Sequence, residues 1–156
     1  MNEEYWSKVD IAEEARWLCS AFYSPPIGEH TYADPTRLIE AYQKITGSPY
    51  AEKLSRAVGD LLDDENADVR VVAAFFFTRW PQAVGSQRVL DVIENGPRQR
   101  VKNGDGDIMP TTDPDPYLIA DCFAKALEMM ASLGDARAQA IRERSDLPQL
   151  LIRTKT

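Results

Sequence analysis

Leu61–Trp80, LLDDENADVRVVAAFFFTRW, decides how the rest of this sequence is read. From Val69 onward, Val69, Val72, Ala73, Phe76, Phe77 and Trp80 fall at i, i+3, i+4, i+7, i+8 and i+11, a full helical stripe. Val71, Ala74 and Phe75 lie off that stripe, so the helix is apolar nearly all round and is expected in the middle of the protein. Ahead of it stand Leu61-Leu62 and a short acidic turn, Asp63-Asp64-Glu65-Asn66-Ala67-Asp68.

Working outward, residues 3 to 23 form a first helix with Val9, Ala12, Ala15, Leu18, Cys19 and Phe22 on one face. Glu3 and Glu4 suit its positive end, and Ser24-Pro25-Pro26-Ile27-Gly28 stops it, because prolines donate no backbone hydrogen bond. Asp34-Pro35 restarts a helix in the N-cap and N1 arrangement, carrying Leu38, Ile39, Tyr42 and Ile45 inward as far as Gly47. Ser48-Pro49 opens the next, striped with Leu54, Ala57, Val58, Leu61 and Leu62. Beyond the Pro81 that closes the central helix, Ser86 to Glu94 place Val89, Leu90 and Ile93 inward, and Gly96-Pro97 stop that segment. Residues 97 to 114, PRQRVKNGDGDIMPTTDP, read as a long loop. Asp115-Pro116 then opens a helix to about Leu133, with Ile119, Cys122, Phe123, Ala126, Leu127 and Met130 on one face and Gly134 as its C-cap. A last helix covers about 135 to 145, and Leu147, Leu150, Leu151 and Ile152 tuck the tail back. No segment alternates with period 2, so the expectation is all-α: seven helices and no sheet.

The 156 residues correspond to one domain, 1–156, and 44% of them are hydrophobic, enough for a proper core. The formal net charge is −7, from 25 acidic and 18 basic residues. An acidic chain grips a phosphate backbone poorly and meets a basic partner well. Two cysteines, Cys19 and Cys122, each on an apolar helical pattern, read as buried thiols of a reducing compartment. The acidic start MNEEYWSKVD does not resemble an export signal, and no run of about 18 apolar residues suggests a membrane span. The expected setting is cytoplasmic.

The helix starts Ala33-Asp34-Pro35, Ala67-Asp68-Val69 and Asp113-Pro114-Asp115-Pro116 recur through the chain, which suggests stacked helix pairs. Around the second of them, Leu61-Leu62, Asp64, Val69-Arg70 and Ala73 resemble the HEAT-repeat family over about residues 50–82. That resemblance implies a short, irregular α-solenoid, with a helical bundle as the alternative. It also implies that Asp64 caps the second helix of the unit and that Arg70 bonds across to neighbouring turns. Elsewhere the chain departs from the pattern: Leu118-Ile119 stand where Val-Arg would be, and the 97–114 loop replaces a short turn.

Catalytic constellations are thin. His30 is the lone histidine, neither cysteine belongs to a C-x-x-C pair, and no nucleophile elbow or phosphate-cradling glycine loop occurs. Asn103-Gly104-Asp105-Gly106-Asp107 invites a calcium reading, but an EF-hand frame puts Val101 and Thr112 at its anchoring positions. No metal, cofactor or enzymatic activity is expected. Arg98, Arg100 and Lys102 are followed at once by Asp105 and Asp107, which breaks a nucleic-acid stripe.

What stands out are two acidic connections of the same kind. One holds Asp63, Asp64, Glu65 and Asp68; the other runs through Asp105, Asp107, Ile108, Met109, Asp113 and Asp115 to Tyr117. Both join the first helix of a pair to its second, so both are expected on one edge of a solenoid. By size, acidity and lack of catalytic residues the chain is similar to bacterial immunity proteins. The implied function is a protein-binding module that occludes the cleft of a basic toxin domain, as a monomer or small homo-oligomer. The alternatives are a HEAT-like enzyme or nucleic-acid processor using carboxylates near Asp64 with Arg70, Arg79 and Trp80, and a structural adaptor.

Overall fold

Short polar breaks cut the chain into helices. The computed structural model describes residues 3–20, 22–23, 31–32, 35–97 and 116–154. Its elements are α1 (Glu3–Lys8), α2 (Ile11–Cys19), β1 (Phe22–Tyr23), β2 (Thr31–Tyr32), α3 (Thr36–Ile45), α4 (Pro49–Asp60), α5 (Ala67–Arg79), a 3-10 turn (Val84–Ser86), α6 (Gln87–Asn95), α7 (Pro116–Ser132), α8 (Ala136–Arg142) and α9 (Leu147–Arg153). Among the described residues the architecture is all-α apart from one antiparallel pair of two-residue strands, Phe22 opposite Tyr32 and Tyr23 opposite Thr31.

There are nine α-helices among the described residues rather than seven. The first expected helix splits at Val9-Asp10, because the Asp10 carboxylate accepts from the Ala12 and Glu13 amides and starts a new helix there. The split rotates the register: Trp6 is buried, whereas Ala12 faces solvent. The tail closes into α9, which buries Leu150 and leaves Ile152 exposed. The strand pair was not expected. Its aromatic and β-branched residues suit a ladder, but two residues a side are too few to alternate visibly.

The apolar run behaves as its pattern demands. Val69, Val72, Ala73, Phe76 and Phe77 of α5 are at most 1% exposed, Val71 and Ala74 are also buried, and Phe75 and Trp80 are half-buried. Asp68, Arg70 and Thr78 of the same helix are buried as well. α5 lies along α7, whose predicted face (Ile119, Cys122, Phe123, Ala126, Leu127, Met130) is wholly buried. Tyr42 of α3 meets Phe76 edge-on at 4.8 Å, and Phe76 meets Phe77 and Trp80 at 5.0 Å each. Such ring pairs contribute about 0.5–1.5 kcal/mol each beyond area burial. Truncating Phe76 to alanine would cost roughly 3–5 kcal/mol.

Helices pack both on their second neighbours and on adjacent ones, α7 on α8 and α2 on α3 and α5 among them. α2 packs on α4, α4 on α6 and α6 on α8, while α3, through Tyr42, packs on α5, α5 on α7 and α7 on α9. The 3-10 turn sits hard against α4. There the Gly85 amide donates to Ser55 Oγ at 2.9 Å, and a Cβ at Gly85 would overlap the Ser55 carbonyl oxygen. α7 ends as its sequence predicts, with Gly134 in the left-handed region at φ 95 and the Asp135 amide reaching back to the Met130 carbonyl. At the end of α6, Arg153 Nη2 donates to the carbonyls of Ile93 and Glu94, a cation at the negative end of a helix. No described helix is long and apolar enough to cross a membrane.

Candidate functional site

The acidic turn was expected as a solvated, anionic edge. Its residues divide instead. Asp63 is 5% exposed and pairs with Arg88 at 3.3 Å, and Asp68 is 7% exposed. Asp64 is partly exposed, and its two oxygens take Arg16 at 3.3 and 3.2 Å. Glu65 alone of the four expected contact residues is exposed. The reason is geometric: successive residues of a tight turn point in different directions, so a run of carboxylates cannot all face water. The cap also moves. Asn66, not Asp64, caps α5 by accepting from the amides of Asp68 (2.8 Å) and Val69 (3.3 Å), while Asp64 accepts from the Asn66 amide at 3.0 Å. Asp64 thus holds the capping residue in place.

From Asp63 an ion-pair ladder crosses to the last helix. Arg88 joins Asp63 to Asp91, Arg137 joins Asp91 (2.9 Å) to Glu94 (2.7 Å), and Arg144 joins Glu94 (3.8 Å) to Asp146 (2.9 Å). The Arg144 guanidinium holds the exposed Asp146 carboxyl below its ordinary value. Solvent screens the exposed pairs of this ladder, so they add little stability; Asp63 alone is buried. Their larger consequence is that these arginines are committed within the chain.

The second expected surface, Asp105, Asp107, Ile108, Met109, Asp113 and Asp115, lies outside the described residues, as do His30 and the Asn103–Asp107 segment. Tyr117 lies in the first turn of α7, its side chain outside the description. The residues invoked for an enzyme do not converge. Asp64 precedes α5 and Arg79 ends it, with 13 helical residues, about 20 Å, between them. Arg70 is 3% exposed. Arg79 stacks over Trp80 at 5.7 Å, and both line a cleft of about 360 Å³ with Tyr42 and Leu133.

A larger cleft, of about 580 Å³, opens between α1–α2 and α3. Its walls are Tyr5, Trp6, Glu14, Trp17, Glu40 and Lys44, together with Ala41 and Arg37. Tyr5 and Trp17 are 43% and 56% exposed, costly positions for large aromatics. Tyr5 donates to Glu14 Oε1 at 2.6 Å, and that hydrogen bond to a carboxylate raises the phenol above its ordinary value. The Arg37 guanidinium lies 4.5 Å from the Trp17 ring centre and donates to the carbonyls of Trp17 and Ser20. The apolar stripe of residues 3 to 23 gave no reason to look here. The available signal was the opposite one: two bulky aromatics off the stripe, in an acidic helix.

Elsewhere the chemistry is quiet. Burial pushes the Cys19 thiol up to about 12 and the Cys122 thiol up to about 11, which leaves both protonated and unreactive. Among the described residues no three His, Cys, Asp or Glu side chains gather as metal ligands. Compared with protein-family models, curated proteins and solved structures, the chain matches none of them.

Proposed function

We propose that this chain is a protein-binding module built as a short, irregular HEAT-like α-solenoid, and that it neutralises a basic toxin domain by covering its cleft with an acidic surface. What supports the solenoid reading is the packing of α2 on α4, α4 on α6, α5 on α7 and α7 on α9, beside the contacts of α7 with α8 and α2 with α5. The sequence resemblance is carried by α4 and α5, joined by a turn in which Asn66 caps α5 and Asp64 accepts from the Asn66 amide.

One observation carries the choice of partner. Arg16, Arg56, Arg88, Arg137, Arg142 and Arg144 are all ion-paired inside the chain, while the chain as a whole carries −7. The surplus carboxylates therefore set the outward potential, which attracts cationic surfaces and repels nucleic acid. Asp105, Asp107, Asp113 and Asp115 are part of that surplus. An enzymatic alternative would need Asp64 and Arg70 in the cleft that Arg79 and Trp80 line, and neither is among its walls.

Co-expression with the product of the adjacent reading frame tests the proposal. Restored growth is expected, with a complex whose Kd rises about tenfold or more between low and moderate salt. Persistent toxicity with no complex refutes the toxin partner, and a complex indifferent to salt refutes the acidic mechanism. Replacing Asp105, Asp107 and Asp113 together by Asn separates the loop from the rest: an unweakened complex rules the loop out as the occluding element.

A further inference from the structure

Resting on the reading of a basic protein partner, we infer that the cleft between α1–α2 and α3 receives arginine side chains of that partner, between the open face of Trp17 and the carboxylates of Glu14 and Glu40. The cleft is of side-chain-binding size, about 580 Å³. Its exposed residues are of the kinds that dominate binding energy at interfaces, Trp and Tyr. The site already displays the chemistry in miniature: Trp17 carries the Arg37 guanidinium at 4.5 Å, and at 56% exposure keeps ring surface for another.

Charge selects the occupant. In the lining Glu14 and Glu40 stand against Arg37 and Lys44, and around it α1, α2 and the residue before α2 add Glu3, Glu4, Asp10 and Glu13 against Lys8 and Arg16, so the face as a whole is acidic. Lys8 and Glu4 are paired with each other at 2.9 Å, and Arg16 is drawn away to Asp64 at 3.2 Å. Arg37 is held by two backbone carbonyls and the Trp17 ring. Lys44 is the other cation in the lining; it stands one turn from Glu40 on α3, in the wall opposite the one that carries Glu14. An arginine fits this set better than a lysine, because its flat, weakly hydrated guanidinium stacks on indole while donating sideways to carboxylates. Tyr5 keeps Glu14 oriented through the 2.6 Å hydrogen bond and supplies the apolar floor with Trp6.

The test uses the whole chain and an acetylated hexa-arginine amide at low salt, followed by the indole N–H resonances of Trp6, Trp17 and Trp80. The Trp6 and Trp17 signals are expected to move and Trp80 to stay. Glu40→Gln and Trp17→Ala are each expected to weaken binding roughly two- to fivefold. Lys44→Gln is expected to tighten it by a similar factor, a reversal that misfolding would not produce. Glu40 and Lys44 are exposed, so those two variants keep the test alive if Trp17→Ala fails to fold. Movement of Trp80 alone, or binding unaffected by both Glu40→Gln and Lys44→Gln, removes the cleft while leaving an acidic binding module intact. No binding of hexa-arginine, with hexa-glutamate bound instead, overturns the cleft assignment and the basic-partner reading together. No binding of either peptide overturns the cleft alone.

Discussion

Gly85→Ala is the substitution that most directly probes how this molecule is held together. The added methyl would overlap the Ser55 carbonyl oxygen and come 2.9 Å from the Ser55 carbonyl carbon and 3.0 Å from Phe77 Cζ. Two of those atoms are backbone and the third belongs to a fully buried ring, so no flexible side chain can give way. The turn must lift off α4. Overpacking of a core contact costs about 1–3 kcal/mol. Lifting the turn also breaks the Gly85 amide to Ser55 Oγ hydrogen bond and leaves buried polar atoms unpaired, about 1–3 kcal/mol more. The expected loss is on the order of 3 kcal/mol, allowing for partial relaxation. For a chain of this size that is a fall in Tm of about 6–12 °C. Urea unfolding followed by far-ultraviolet circular dichroism measures it, with an unchanged m-value as the sign that only native stability moved. Gly134→Ala is the control. That site has φ 95 and nothing within 4 Å of a new Cβ, so it carries left-handed strain alone, about 1–2 kcal/mol. A Gly85→Ala protein as stable as the parent, or no less stable than Gly134→Ala, would refute the close approach of the turn to α4.

Three further outcomes follow from the same geometry. Asn66→Ala should cost about 1 kcal/mol of stability in chemical denaturation, because it removes the cap of α5, and Asp64→Ala should cost less; equal losses would return Asp64 to the capping role. Removing the buried carboxylate in Asp63→Ala should destabilise by about 1–3 kcal/mol, whereas Glu65→Ala should stay within about 0.5 kcal/mol; calorimetry that finds the two alike would show Asp63 to be a surface residue. Both thiols should resist Ellman's reagent in the native protein at pH 8 and react after unfolding. Their folded values near 12 and 11 exceed the ordinary 9.0, so the folded state holds protons that the unfolded state releases. That contribution is complete below pH 9.0 and is lost as pH rises toward 11 and 12, so urea midpoints should fall across that range.

Much of the frame was legible from residue order. The α5 stripe, the α7 face and the Gly134 cap fall where their spacing puts them, because helix period and left-handed caps are local properties. The misses share a cause. The split at Asp10 is a contest between a continuing apolar stripe and a carboxylate able to cap two amides, and the side chain won. Ser55, outside the apolar stripe of α4, matters because Gly85 arrives from thirty positions away. The cleft of Tyr5 and Trp17 left only the trace of two aromatics off the stripe, because an exposed aromatic has no periodic signature; only a neighbouring helix turns two such rings into walls.

Sequence by itself determined the helical class, the buried helix at the centre and the acidic surplus, since each follows from spacing or composition. Tertiary structure alone decided where that charge is spent. Asp63 lies beside Arg88 and Asp64 beside Arg16, pairings 25 and 48 residues apart that no local pattern encodes. In the acidic turn after Leu61-Leu62, helix packing therefore sets which carboxylates face water, because burial and ion pairing depend on what folds against the turn rather than on the turn.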